Sequence, residues 1–99
     1  MARSCSRFEV KRIEFKLPES FNRDYAVAVF YKYGALHVKS IYYATVVELK
    51  RNKAIIEFSP KISLNKVNMI LFQINFHNQL EIVDFRYDVK EEKVVVKVK

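Results

Sequence analysis

Gly34 is the only glycine among 99 residues, where an average soluble chain of this length carries about seven. Glycine is the residue that takes positive φ without steric cost and lets a backbone approach an anion closely. A chain with one of them has a single easy site for a strained turn. It cannot build the Gly-rich loops that cradle nucleotide phosphates, a dinucleotide fingerprint or a glycine-flanked nucleophile turn. What it can build is a stiff domain of regular elements. Its 51% hydrophobic residues are enough to offset the entropy of ordering one small core.

The hydrophobic pattern is mostly period-two. Phe8 and Val10 alternate with charged residues, the phase slips at Lys11-Arg12, and Ile13, Phe15 and Leu17 resume it. This reads as a strand with a β-bulge. A loop over residues 18–24 follows. Residues 25–33, dense in Val, Phe and Tyr, read as a central strand buried on both faces. Gly34-Ala35 then suits a two-residue type II′ turn, which sets Tyr33 opposite Leu36 and Tyr31 opposite Val38. A long strand over 36–49 turns at Arg51-Asn52 into a strand over 53–58, with Leu49 opposite Ala54 and Val47 opposite Ile56, and Ser59-Pro60 closes it.

In residues 63–77, Val67, Ile70, Leu71 and Ile74 recur at helical spacing, with Met69, Phe72 and Phe76 on an adjoining stripe and a capping residue within Ser63-Leu64-Asn65. The same stretch also alternates through Ile70, Phe72, Ile74 and Phe76, so a strand is the alternative. The tail is a hairpin: Val83, Phe85, Tyr87 and Val89, a turn at Glu91-Glu92, then Val94, Val96 and Val98, with Val89 opposite Val94, Tyr87 opposite Val96 and Phe85 opposite Val98. The expected fold is a single α+β domain over residues 1–99, an antiparallel sheet of five or six strands with one helix near 63–77 and a flexible basic stretch over 1–6. An all-β sandwich or small barrel follows if 63–77 is a strand.

Catalytic and metal constellations are not legible. Cys5 has no histidine near it in sequence, His37 and His77 are forty residues apart, and no Cys pair offers zinc-ligand spacing. Asp84 and Asp88 alternate with Arg86 as a solvated strand face does. Glu48 and Glu57 could meet across the middle hairpin, where nearby lysines would answer them. The expectation is a protein that is not an enzyme and takes no cofactor.

Charge points towards partners. The net charge is +7, and residues 1–53 carry eleven Lys or Arg against five Asp or Glu, residues 54–99 seven against six. A basic half suits an acidic partner. Tyr31, Lys32, Tyr33, His37, Lys39, Tyr42 and Tyr43 interleave aromatics with cations on two expected neighbouring strands, the pattern that grips single-stranded nucleic acid by stacking and phosphate contact. Arg3, Arg7, Lys11 and Arg12 would add a basic arm. The blander and favoured reading is a protein-interaction or assembly role, with a protein partner or a homodimer formed through an edge such as Lys93–Lys99, whose lysines guard against indiscriminate pairing. Nucleic-acid binding is the alternative. The longest apolar run, residues 26–31, is far short of the roughly twenty a membrane span needs, and the polar start has no signal-peptide core. A soluble, intracellular protein, not secreted, is expected.

The stretch Phe30-Tyr31-Lys32-Tyr33-Gly34-Ala35-Leu36-His37-Val38-Lys39-Ser40-Ile41-Tyr42-Tyr43 resembles the small uncharacterised proteins shared among filamentous and rod-shaped viruses of thermoacidophilic archaea. The likeness is one of size and of Ile, Val, Lys and Tyr richness along the whole chain. It implies a viral accessory protein acting in the host cytoplasm, with no active-site residues to carry over. A charged content of 29% and short turns agree with a hot habitat.

Overall fold

The structure, a computed structural model, describes residues 8–33, 44–77 and 79–99. Five strands, β1 (Glu9–Lys16), β2 (Ala44–Lys50), β3 (Lys53–Ser63), β4 (Ile82–Asp88) and β5 (Lys93–Val98), form one open sheet in the order β2-β3-β1-β5-β4. All neighbouring pairs are antiparallel except β1 with β5, which run parallel at the centre. Two helical segments, α1 (Arg23–Val27) and α2 (Leu64–Phe76), complete an α+β fold. The sheet does not close on itself, so the sandwich or barrel alternative falls away.

The phase slip expected in β1 is present: the register with β3 shifts between Val10 and Arg12, and Val10, Ile13 and Phe15 are all fully buried. A second bulge, in β2 between Val46 and Glu48, was not expected. It turns Val47 outwards, so Val46 rather than Val47 faces Ile56, while Leu49 faces Ala54 as read from the sequence. Ser59-Pro60 does not end β3, which runs on to Ser63 and directly into α2.

Residues 25–33 are the main correction. They are helical: α1 continues into a π-helical segment, Ala28–Tyr33. Asn22 starts it, its side chain accepting from the Tyr25 N–H at 2.9 Å, and Asp24 lies in the first turn where it complements the helix dipole. Ala26, Val29 and Phe30 are buried, a helical i, i+3, i+4 set against the sheet, with Phe30 edge-on to Phe15 at 5.1 Å between ring centres. The run is apolar on nearly every side, so its period was invisible, and β propensity misled where tertiary packing decided. The Gly34-Ala35 turn and residues 36–43 of the strand expected after it lie outside the described residues.

The helix expected at 63–77 is α2. Ser63 caps it by accepting from the Lys66 N–H at 3.3 Å, and Val67, Ile70, Leu71 and Ile74 are its buried positions. The tail hairpin also forms, two residues out of the expected register: Tyr87 faces Val94 and Phe85 faces Val96. The turn is longer than read, because Asp88 Oδ1 accepts from the N–H groups of Lys90 and Glu91 at 3.1 and 3.2 Å and Glu92 takes φ 54°. A shift of two keeps every side chain on its face. β5 is not an edge, since β1 and β4 flank it; among the described residues the edges are β2 and β4.

Candidate functional site

Helix α2 lays four apolar residues on the sheet and turns others away. Phe72 and Phe76 are 66% and 67% exposed, stack with ring centres 6.1 Å apart, and share their side of the helix with the exposed Met69. Beside them runs β4, the outermost strand. Its Phe85 points to the helix side of the sheet and is still 44% exposed, because α2 does not reach over it, and Val83 at the bulge between Ile82 and Asp84 is 51% exposed. A shallow groove between the two elements is lined by Asn68, Leu71, Phe72, Asn75, Val83 and Phe85. Asn75 Oδ1 accepts from the Ile82 N–H at 3.2 Å and so ties the helix to the start of the strand. Large apolar side chains gathered at an open sheet edge are the kind of patch that marks a binding surface in a soluble protein.

On its other face β4 presents Asp84, Arg86 and Asp88. Tyr87, at the far end, is half-buried and its hydroxyl donates to the Glu9 carbonyl at 2.9 Å. Burial, followed by the nearby Glu92 and Glu9 carboxylates, pushes its phenol above the ordinary value.

The face of the sheet away from the helices is charged. Arg12 reaches Glu57 at 3.6 Å and Glu91 at 4.0 Å. The Lys93 ammonium donates to Glu14 at 3.0 Å. Burial acts to raise the Glu14 carboxyl, but that bond and the charges of Lys93, Lys53 and Lys16 outweigh it and hold it below the ordinary range. Glu48 and Glu57 do not make an acid pair; Glu48 lies between Lys50 and Lys53, and Glu57 answers Arg12.

Of the tyrosine and lysine surface read from the sequence, Tyr31 is exposed on the π-helical segment, not on a strand. Lys32 and Tyr33 belong to that segment by backbone, and His37, Lys39, Tyr42 and Tyr43 lie outside the described residues. Lys11 and Arg12 are strand residues of β1 and Arg12 is ion-paired, so they do not form a loose arm; Arg3, Arg7 and Cys5 lie outside the described residues. His77 is exposed at the end of α2, edge-on to Phe76. Among the described residues no three His, Cys, Asp or Glu gather as a metal site, and no helix is long and apolar enough to cross a membrane.

The stripe of Met69, Phe72 and Phe76 was visible in sequence but not its exposure, which depends on how far β4 lies from the helix. Comparison with protein families, curated proteins and solved structures finds nothing that matches this chain.

Proposed function

We propose that this protein is a non-enzymatic assembly module that pairs with a second copy of itself through the β4 edge and the phenylalanines beside it. The observation that carries the reading is the sequence of charges on that edge. Antiparallel pairing centred on Phe85 sets Asp84 opposite Arg86 of the second copy, twice by symmetry. Centring on Arg86 sets arginine against arginine and Asp84 against Asp88, and centring on Asp84 sets aspartate against aspartate. Unlike charges directly across strands stabilise by about 0.2–1 kcal/mol and like charges oppose pairing. A centre at Tyr87 also joins unlike charges, but that side chain is half-buried and its hydroxyl is already engaged with Glu9.

The Phe85-centred register brings the two exposed phenylalanines together and draws both α2 helices, with Phe72 and Phe76, towards the same seam. Apolar area would leave water along the whole edge, and the contact is isologous and self-limiting.

Sedimentation velocity on the full chain over a concentration series tests this. Phe85→Glu should leave a monomer. Asp84→Arg should weaken association about tenfold or more, and the double reversal Asp84→Arg with Arg86→Asp should restore it, since the unlike pairs return with signs exchanged. A protein that stays monomeric at high micromolar concentration, or a double reversal no better than the single change, overturns the reading.

A further inference from the structure

The open face of the sheet carries a feature the assembly reading does not use. Lys16 on β1 faces Lys53 on β3 and Lys97 on β5, and Lys53 faces Lys50 on β2. Four lysines on four adjacent strands therefore form one straight row, Lys50-Lys53-Lys16-Lys97, about 14 Å long at the usual strand spacing of about 4.8 Å. Like charges directly across a sheet work against folding, so this row is a cost to the fold that its neighbours only partly relieve.

The charged groups around it are few. Glu48 lies 3.6 Å from both Lys50 and Lys53, and its Oε2 is buried with no hydrogen bond. Glu14 faces the row from the next position, but its hydrogen bond goes to Lys93. Asp84 faces Lys97 at the end of the row. Among the described residues, Lys16 and Lys97 make no ion pair, and both are exposed.

We propose that this row binds the phosphate backbone of a nucleic-acid duplex without reading its sequence. Ammonium groups on flexible stems bind phosphate as point charges, and a row of about 14 Å can follow the backbone of one duplex strand, whose successive phosphates stand farther apart than the ~3.4 Å axial rise. The next row holds Glu48, Ile55, Glu14, Val95 and Arg86. Among the described residues, neither row contains an aromatic ring on which single-stranded bases could stack. The row is complete within one copy and ends one strand short of the β4 edge, where Asp84 faces Lys97.

Fluorescence anisotropy with a labelled duplex of about 20 bp, titrated between about 50 and 200 mM salt, reads the proposal. Four phosphate contacts give a slope of log K against log salt between about −3 and −4. The double change Lys16→Gln with Lys97→Gln removes exposed charges that make no ion pair among the described residues and should leave the melting temperature unchanged or slightly raised while reducing the slope by about two and low-salt affinity by tenfold or more. The charge-matched double change Lys66→Gln with Lys90→Gln, away from the row, should leave binding unaltered. Four results overturn the proposal: no duplex binding at the lowest salt, equal loss in both double variants, a single strand of the same length bound as tightly, or vesicles containing phosphatidylserine bound in preference to duplex.

Discussion

On β1, Ile13 and Phe15 face the helices and are fully buried, whereas Arg12, Glu14 and Lys16, alternating with them, face the other way and stay at least partly in water. The same contrast runs across the sheet. Towards the helices stand Ile56, Val94 and Val96, all but removed from water; away from them stand rows of lysines and glutamates. The covered side is held by packing, where each lost methylene is felt. The open side is held by exchangeable charges, with Val95 buried between its register partners Glu14 and Arg86. Most of the stability and the surface chemistry thus lie on opposite sides of one sheet, and the second can change at less cost than the first.

Substitutions that break this division are expected to differ in size. Phe15→Ala, on the covered side, removes the ring that Phe30 packs against at 5.1 Å and should cost about 3–5 kcal/mol in urea unfolding. A loss under about 1 kcal/mol would mean that the core is not where the contrast puts it. Glu14→Gln, one residue away on the open side, should cost about 1 kcal/mol at neutral pH, the loss of one charge-assisted hydrogen bond. Because the Glu14 carboxyl is held below its ordinary value, its contribution is complete above the unfolded carboxylate pKa of about 4.3 and fades as pH falls through the folded one. The gap between the wild-type protein and Glu14→Gln should close in unfolding curves measured at progressively lower pH below about 4. A gap that stays constant would show that the charge is not the cause. Lys16→Gln should be the smallest effect, within about 0.5 kcal/mol of neutral, since relief of like charges in the lysine row is offset by the lost attraction to Glu14.

The two sides also differed in how far the sequence revealed them. The alternation of Ile13, Phe15, Val94, Val96 and Val98 announced the covered face, and Ser63 announced α2, because periodicity and capping are local signals. The lysine row was only half legible: setting Leu49 against Ala54 already implies Lys50 beside Lys53. Lys16 joins that pair through the long-range pairing of β1 with β3, and Lys97 through the parallel contact of β1 with β5, neither of which a local pattern encodes. The exposed edge was hidden for the same reason, since the tail reads as a hairpin whichever of its strands lies outermost. Residues 25–33 failed differently. Their helix start was written in Asn22 and Asp24, but a run of Val, Phe and Tyr outweighed that cap in a reading based on propensity.

The parallel contact of β1 with β5 also bears on how the protein comes to be folded. The first strand of the sheet and the last share its centre, so the most separated segments in sequence must meet before the sheet is continuous. During synthesis β1 and β3 can pair early, yet β1 keeps one edge of N–H and C=O groups unpaired until residues 93–98 have left the ribosome. Contacts of such long sequence separation slow folding, and an open, apolar-flanked strand is the form in which partly made chains associate wrongly. The same joint that brings Lys97 into the lysine row leaves β1 half-paired in the nascent protein until β5 arrives.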